Sequence, residues 1–177
     1  DHVILCGYGR VGQEISNQIK TQNIPIIVVE INENRKKIAE ENGLEVLCAD
    51  ATLDETLKLA GIEKCKSLVV TLPNDASNLY VVLSAKGIRS SIRVIARAGT
   101  EEAASKLRLA GASIVVSPYI AAGRAMASMA LRPIAIDFLD LLAGTECEIE
   151  EFELSNDIIL FETSEKRSLS ELGIGKK

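Results

Sequence analysis

The opening segment of the sequence, VILCGYGRVG, constrains the fold more than any other part of the chain. Its apolar run Val3–Cys6 is typical of a buried parallel strand, and Gly7, Gly9 and Gly12 follow at the start of an amphipathic stretch. In a strand–turn–helix unit the first glycine permits a tight turn, the second lets the backbone approach a pyrophosphate, and the third lets the helix pack on the strand. The free N–H groups and the dipole of the helix start would hold the anion.

A second apolar run, Ile26–Val29, ends at Glu30. Dinucleotide-binding folds place an acidic residue about 20 residues after the glycines, where its carboxylate accepts hydrogen bonds from ribose hydroxyls and repels a 2′-phosphate. The residues therefore favour NAD(H), or another adenine nucleotide with free ribose hydroxyls, over NADP(H). The alternative is a degenerate fold of the same class, which keeps its glycines for packing and binds nothing.

Apolar runs and helix-like segments continue to alternate as far as residue 118. Strands are predicted at 3–6, 26–29, 45–48, 67–70, 93–96 and 113–116. Besides the helix after the glycines, helices are predicted at 34–42, 53–60, 76–86 and 100–110. This alternation predicts an α/β fold with a Rossmann-like, doubly wound, six-stranded parallel sheet over residues 1–118. The expected strand order is 3-2-1-4-5-6, with the ligand crevice at the carboxyl ends of strands one and four.

Helix ends are predicted from capping residues and glycines. Thr52 and Glu55 have the spacing of a capping box at the start of the third helix. Glycines are placed where four of the helices should stop, at Gly43, Gly61, Gly87 and Gly111.

The segment 119–143 is predicted to form a crossover helix and a helical dimerisation segment. Its part Ile120–Leu131 is apolar or small on nearly every side, and such a helix is buried on every side. The sheet can cover only one of those sides, so a second subunit is expected to cover the other. The alternative is that the C-terminal part of the chain covers it.

Residues 144–177 are predicted to begin a small α+β lobe. Glu146, Glu148 and Glu150 alternate with apolar residues, as in a half-buried strand, and this row is expected to be the solvated face of that strand. A second cation site made by Asp137, Asp140 or the row between Glu146 and Glu153 stays open.

Composition excludes some classes of partner. The net charge is −5, and no basic stripe with interleaved aromatic residues is present, which argues against nucleic acid. No apolar run approaches the roughly 20 residues of a membrane span. The four cysteines lack CxxC spacing and His2 is the single histidine, so buried free thiols in a reducing compartment are expected rather than a zinc site. Because the chain starts at Asp1 without methionine, it is expected to be a piece of a longer protein.

The motifs HVILCGYGRVG, VVE, LCADAT, LVVTLPNDASN, VIARA and LRLAGASIVVSPYIAAGRAMA closely resemble the RCK (regulator of K+ conductance) domain, also called the KTN domain. This resemblance implies a regulatory gating domain at the cytoplasmic face of the cell membrane, attached to the potassium-channel pore domain of the same chain. It also implies a homodimer through residues 119–142 and an octameric ring. The alternative parent is a Trk/Ktr-type potassium transporter, with this chain as its nucleotide-binding regulatory subunit.

The resemblance also assigns the binding residues for NAD(H), with ATP, ADP or AMP as alternatives. They are the glycine loop and the residues that follow the later strands: Gly7, Gly9, Arg10, Val11, Gly12, Glu30, Ile31, Asp50, Ala51, Thr52, Thr71, Leu72, Asn74, Asn78 and Arg97. Arg10 would neutralise the phosphates as a guanidinium fork, Glu30 would bind the adenosine ribose, and residues 50–52 would flank the adenine.

One departure from the family pattern concerns calcium. Calcium-gated members place carboxylates at the positions of Thr71, Arg97 and Gly99, and none of these residues can supply one. The sequence therefore predicts no calcium site there, and the arginine at position 97 suits an anionic nucleotide instead.

An NAD-dependent oxidoreductase is the rival of a different class. Hydride transfer needs an acid or base aimed at the substrate, and His2 lies at the extreme start of the chain. Lys86 and Tyr119 could act in principle, but the first lies at a predicted helix end and the second in a turn. The sequence therefore predicts a ligand sensor that is not an enzyme, and a scaffold with an empty cleft is the third possibility.

Overall fold

The structure, a computed structural model, describes residues 2–131 and contains a six-stranded parallel sheet flanked by helices. The strands are β1 Val3–Cys6, β2 Ile26–Val29, β3 Glu45–Leu47, β4 Ser67–Val70, β5 Val94–Arg97 and β6 Ile114–Val116. The helices are α1 Arg10–Thr21, α2 Glu33–Glu41, α3 Asp54–Leu59, α4 Asp75–Ile88, α5 Glu101–Leu109 and α6 Pro118–Leu131. The strand order is β3-β2-β1-β4-β5-β6, so the predicted doubly wound α/β fold is confirmed.

The central strand β1 is buried on both faces, which explains its uninterrupted apolar sequence. Ile4 and Cys6 belong to the core on one face, together with apolar side chains of α3, α4 and α5. Val3 and Leu5 belong to the core on the other face, where side chains of α1 and α2 pack. Alternate residues of β1 therefore anchor the two helix layers.

The carboxyl ends of the central strands lie side by side. Cys6, the last residue of β1, pairs with Val29 of β2 on one side and with Val70 of β4 on the other. The segments that follow these strands therefore emerge next to one another at one edge of the sheet, where open α/β sheets bind their ligands.

Two predicted helix ends are wrong. The α3 helix begins at Asp54, and the hydroxyl of Thr52 donates to the Oδ1 atom of Asp50 (2.8 Å) instead of capping the helix. Thr52 therefore belongs to the turn held by Asp50, and Leu53 takes the N-cap position of α3 without a side-chain cap from within residues 2–131. Gly87 lies within α4, which continues to Ile88, although the other three glycines do follow their helices with positive φ.

The helix α6 confirms that a helix follows the sixth strand, but its surroundings differ from the expectation. Its residues 121–131 are all exposed, including the apolar side chains of Met126, Met129 and Leu131. The predicted cover by the sheet on one side is therefore wrong for this part of the helix.

The remaining predictions about the C-terminal part lie outside the described residues. These include the rest of the 119–143 segment, the lobe at 144–177, Asp137, Asp140 and the glutamate row. The boundaries after residues 118 and 143 stay predictions. Within residues 2–131, none of the helices has both the length and the apolar character needed to cross a membrane.

Candidate functional site

A cleft of about 840 Å³ opens at the carboxyl edge of the sheet, across the ends of β1 to β5, which are five of its six strands. It is lined by Gly7, Gly9, Arg10, Val11, Gln13, Val29, Glu30, Ile31, Asn32, Arg35, Ala49, Asp50, Ala51, Thr52, Thr71, Leu72, Pro73, Asn74, Ser77, Arg97 and Tyr119. All of the predicted binding residues except Gly12 and Asn78 line it. The structure therefore brings the predicted set together in one place.

The three glycines of the first loop occupy different environments. Gly7 has φ of 95° and donates its N–H to the carbonyl of Val29 (2.9 Å), so it forms the turn after β1. A Cβ atom on Gly12 would collide with the carbonyl oxygen of Gly7, which keeps this position inside the packing and out of the cleft. At Gly9, by contrast, no atom of the described residues lies within 4 Å of the place that a Cβ would take.

The start of α1 is open to the cleft. Gly9 is its N-cap residue, no side chain of the described residues caps it, and its first turn holds no acidic residue. The N-termini of α2, α4 and α5 are instead capped by Asn32, Asn74 and Thr100. Uncapped N–H groups at a helix start form a site for an anion, and Arg10 adds a positive charge beside them.

Glu30 is the buried acid of the cleft, with 4% of its surface exposed. Its Oε2 atom accepts the N–H of Tyr8 (2.7 Å) and its Oε1 atom accepts the N–H of Asn32 (2.8 Å). The carboxylate therefore holds the glycine loop to the segment after β2. Since a carboxylate oxygen can accept two hydrogen bonds, each oxygen keeps one site for a ligand donor.

Asp50 shapes the neighbouring wall of the cleft. Its Oδ1 atom accepts both the N–H (2.9 Å) and the hydroxyl (2.8 Å) of Thr52, so the turn after β3 is held by its own side chains. Ala51 is buried within this turn, while Ile31 is exposed across the cleft. Both apolar residues line the cleft.

Thr71 ties the end of β4 to the first loop. Its Oγ1 atom lies 3.1 Å from the carbonyl oxygen of Cys6 and 3.0 Å from that of Gly7, and its single proton serves one of them at a time. Its side chain is buried. Thr71 therefore fixes the position of the glycine loop more than it offers a free group to a ligand.

Asn78 was predicted near the cleft floor but lies beneath it. Its side chain is fully buried, accepts the N–H of Leu72 (2.9 Å) and donates to the carbonyls of Leu72 (3.1 Å) and Arg97 (3.0 Å). The amide thus joins the ends of β4 and β5 from below. Its role in this structure is to hold the cleft floor.

Arg97 lies at the far end of the cleft. Its Nη1 atom donates a long hydrogen bond to the carbonyl of Leu72 (3.4 Å), and its guanidinium carbon lies 5.7 Å from the ring centroid of Tyr119. Its Nε atom is buried without a hydrogen-bond partner among the described residues. A guanidinium in this condition suits an anionic ligand, and it stacks meanwhile on an aromatic face.

The positions of the family's calcium ligands hold no carboxylate. Gly99 donates its N–H to Asp75 (2.8 Å), next to Arg97. Across residues 2–131, no group of three or more histidine, cysteine, aspartate or glutamate residues could hold a metal ion.

The three cysteines within residues 2–131 do not line the cleft. Burial raises the pKa of the Cys6 thiol to about 12, and the neighbouring Cys65 adds to that shift. Cys48 is exposed and donates to the Oε1 atom of Glu33 (3.2 Å), and this hydrogen bond raises the pKa of the thiol. The three described cysteines are free, but the prediction of buried thiols is wrong for Cys48.

Sequence reasoning missed eight residues of the cleft: Gln13, Val29, Asn32, Arg35, Ala49, Pro73, Ser77 and Tyr119. Two of them could have been found. Asn32 lies two residues after Glu30, in the position of an N-cap residue. Arg35 lies about one helical turn after Asn32, so its side chain can return to the cleft edge. Tyr119 carries no comparable local signal, because its place depends on how α6 begins.

The strand order and the glycine loop together define a domain of the Rossmann-like α/β class. The sequence profile of the TrkA-N domain family matches residues 3–118, and the chain belongs to this family. The relation to RCK domains that the motifs predict is thereby confirmed.

Two potassium channel proteins of Methanocaldococcus jannaschii are among the proteins similar to this chain. The chain is 40% identical over 163 residues to "Probable potassium channel protein 2", covering 90% of this chain and 46% of that protein. It is 35% identical over 179 residues to "Potassium channel protein 1", covering 100% of this chain and 53% of that protein. The chain therefore spans about half the length of these relatives. It is also 26% identical over 171 residues to K(+) efflux antiporter 1 of Arabidopsis thaliana, covering 97% of this chain and 13% of that protein.

Three solved structures are similar to the chain at 29% or 30% identity. The TrkA-N domain of the inner membrane protein ybaL of Escherichia coli has 30% identity and a TM-score of 0.69, over 72% of this chain and 95% of that domain. The GsuK channel bound to NAD has 30% identity and a TM-score of 0.65, over 73% of this chain and 23% of that channel. GsuK is also known with bound ADP, at 29% identity and the same TM-score over 73% of this chain and 33% of that one.

Proposed function

We propose that this chain is the regulatory domain of a potassium channel, which binds an adenine nucleotide and couples that binding to the opening of a pore. NAD(H) is the proposed ligand, ahead of ATP, ADP and AMP. The observation that carries the proposal is the uncapped start of α1, which faces the buried carboxylate of Glu30 across the same cleft. An anion site and a ribose site in one cleft are what an adenosine diphosphate moiety requires.

The cleft fits such a ligand at both ends. The empty space at the Cβ position of Gly9 admits a pyrophosphate close to the backbone, and Arg10 supplies a guanidinium for its charge. Glu30 is held in place before any ligand arrives, so its remaining acceptor sites can take ribose hydroxyls at little cost in ordering. The adenine would lie between Ile31 and the turn at residues 50–52.

The far end of the cleft supports a dinucleotide over a mononucleotide. Arg97 and Tyr119 extend the cleft beyond the glycine loop, and the buried Nε atom of Arg97 lacks an acceptor within the described residues. A ligand that reaches this end would supply one. The GsuK channel, which is similar to this chain, has been solved with both NAD and ADP, so both ligand sizes belong in the test.

Tyr119 offers the route by which ligand binding would be read. It lies in the first turn of α6, and its ring contacts the guanidinium of Arg97 inside the cleft. An anion that draws the guanidinium away from the ring would change how α6 begins. A ligand shifts a conformational balance only by its difference in affinity for the two states, so this contact must differ between them.

We further propose that α6 belongs to a homodimer interface over residues 119–142, within a ring of eight domains at the cytoplasmic face of the membrane. The exposure of its apolar residues Met126, Met129 and Leu131 supports an interface. A transporter or antiporter is the alternative parent, which the similarity to an Arabidopsis K(+) efflux antiporter favours.

An enzymatic role is the less favoured candidate. The Nζ atom of Lys86 donates to the carbonyls of Ser90 (3.2 Å) and Ile92 (2.6 Å), and Lys86 does not line the cleft. His2 makes its ring contact with the carbonyl of Ala60, at the opposite end of β1 from the glycine loop. Neither group is placed to move a proton on a ligand in the cleft. Tyr119 does line the cleft, and it lies in the helix α6 and not in the predicted turn, but its ring contacts Arg97. We therefore propose a binding domain without turnover.

Calorimetric titration of the purified chain tests the proposal. NAD+, NADH, ATP, ADP, AMP and Ca²⁺ are added separately, and melting temperatures are recorded in parallel. We expect saturable binding of NAD+ or NADH, weaker binding of the mononucleotides, no effect of Ca²⁺ and no consumption of NADH. Absence of binding by every nucleotide would leave a scaffold, and oxidation of NADH with any small carbonyl compound would make the domain an enzyme.

A further inference from the structure

The ribose end of the cleft holds a basic residue beside its acid. The Nη1 atom of Arg35 lies 3.6 Å from the Oε2 atom of Glu30, and Arg35 lines the cleft. The two side chains differ in exposure, with 43% of Arg35 and 4% of Glu30 accessible. The acid is therefore fixed inside the wall, while the guanidinium stands at its surface and can move toward a ligand.

This placement follows from the local structure of α2. The side chain of Asn32 accepts the N–H groups of Asn34 and Arg35 (both 3.1 Å). This cap starts α2 at Glu33, three residues after Glu30. Side chains of a helix lean toward its N-terminus, so a long side chain at position 35 returns to the cleft edge. The next residue, Lys36, instead pairs with Glu33 and Glu40 on the helix surface and does not line the cleft.

The charges at this end have a consequence for ligand choice. An isolated carboxylate at position 30 would repel a 2′-phosphate strongly, because both groups are anionic. A guanidinium within ion-pair distance cancels most of that repulsion and offers donors to phosphate oxygens. A ribose whose hydroxyls donate to Glu30 carries its 2′ substituent beside the same carboxylate, and therefore beside Arg35.

We infer that Arg35 sets how strongly this cleft discriminates between a free 2′-hydroxyl and a 2′-phosphate. With Arg35 in place, the site binds both forms of an adenosine diphosphate ligand and prefers the unphosphorylated one. Without Arg35, the carboxylate acts alone and the phosphorylated form is rejected. This inference rests on the proposed nucleotide binding.

A purely structural role for Arg35 predicts something else. A half-exposed ion pair contributes little to stability, and its loss would loosen Glu30 for either ligand alike. The ratio of the affinities for the 2′-phosphorylated and the unphosphorylated ligand therefore distinguishes the two roles of Arg35. A general weakening of the site leaves this ratio unchanged, whereas the loss of a specificity residue changes it.

The test uses ADP-ribose and its 2′-phosphorylated counterpart, which differ only at the 2′ position. Their dissociation constants are measured by calorimetry for the wild-type chain, Arg35→Gln, Arg35→Lys and Lys36→Gln. We expect Arg35→Gln to weaken the phosphorylated probe about ten-fold and the other less than about three-fold, as a lost charge-assisted hydrogen bond predicts. Arg35→Lys should retain part of the binding of the phosphorylated probe.

Lys36→Gln is the matched control, because it removes one positive charge from the adjacent position of the same helix. It should leave the ratio of the two affinities unchanged. An equal effect of Arg35→Gln on both probes, a ratio that shifts as much in Lys36→Gln, or a wild-type chain that binds ADP-ribose alone would overturn the inference and leave the proposed function intact. A wild-type chain that binds neither probe would overturn both.

Discussion

The two strand–turn–helix units at the centre of the sheet are built alike but end differently. β1 with α1 and β4 with α4 are neighbours, and Cys6 pairs with Val70 where the two strands end. In the first unit no side chain of the described residues caps the helix. In the second, Asn74 accepts the N–H groups of Ala76 (2.8 Å) and Ser77 (3.3 Å).

The charges at the two helix starts strengthen this contrast. The first turn of α4 carries Asp75, whose Oδ1 atom accepts the N–H of Gly99 (2.8 Å), while the first turn of α1 carries no acid. A helix start with a cap and a carboxylate has little left to offer an anion, whereas an uncapped one keeps both its N–H groups and its dipole. Both units therefore place a helix N-terminus at the carboxyl edge of the sheet. Asn74 and Asp75 occupy the N-terminus of α4 in the closed unit, whereas that of α1 in the open unit stays available to an anion.

Gly12→Ala should give the largest effect on the open unit. The new methyl group would collide with the carbonyl of Gly7. Because the atoms it meets there are backbone atoms, they cannot move aside as a flexible side chain could. We expect the free energy of unfolding to fall by more than about 3 kcal/mol, measured by urea denaturation. Gly87→Ala is the control, because its Cβ meets no atom within 4 Å and it lies inside α4, so it should be neutral or stabilising. Equal stability of the two variants would contradict the packing role of Gly12.

Asn78→Leu should give the next largest effect, in the closed unit. The substitution removes the hydrogen bonds that Asn78 makes to the N–H of Leu72 and to the carbonyl of Arg97, while the carbonyl of Leu72 keeps, within the described part of the chain, only the long hydrogen bond from Arg97. We expect a loss of about 2 kcal/mol in the free energy of unfolding. Nucleotide affinity of the folded protein should change little, because the amide does not line the cleft. A loss of affinity without a loss of stability would instead return Asn78 to the binding site, as the sequence resemblance implied.

The open unit could be predicted from the sequence because its features are local. Glycine spacing, apolar runs and an acid at the end of the second strand all follow from backbone geometry within one stretch of chain. The strand order followed as well, since crossover connections leave few alternatives. The same features place Gly7, Gly9 and Glu30 at one cleft.

The closed unit could not be predicted in the same way, because it depends on contacts between distant segments. Asn78 reaches the end of β5, nineteen positions away in sequence, and nothing in its own stretch indicates that choice. Thr52 shows the opposite problem, because both of its possible partners were local: its hydroxyl donates to the Asp50 carboxylate, and it does not accept an N–H at the start of α3. For Arg35 the position one turn after the N-cap was a usable local signal, but its ion pair with Glu30 was not, because that pair joins side chains of two different elements.

Gly9→Ala should separate binding from folding in the open unit. Its φ of −75° is accessible to alanine and its Cβ would meet open space, so we expect a stability change below about 1 kcal/mol. The methyl group would occupy the place proposed for the pyrophosphate, and the dissociation constant for NAD+ should rise about ten-fold, as measured by calorimetry. The Gly87→Ala control should bind as the wild type does. Unchanged affinity in Gly9→Ala would move the phosphates away from the start of α1.

Tyr119→Leu should give the smallest effect, and its sign tests how the cleft communicates with α6. The stacking of Arg97 on the Tyr119 ring is a cation–π contact worth about 0.5–1 kcal/mol at an exposed site. If an anionic ligand draws the guanidinium away from the ring, it must break this contact. Removing the ring should then tighten NAD+ binding about two- to four-fold, while Tyr119→Phe, which keeps the aromatic face, should bind as the wild type does. Weaker binding in Tyr119→Leu would mean that the ring contacts the ligand itself, and α6 would then report ligand binding through a direct contact instead of through Arg97.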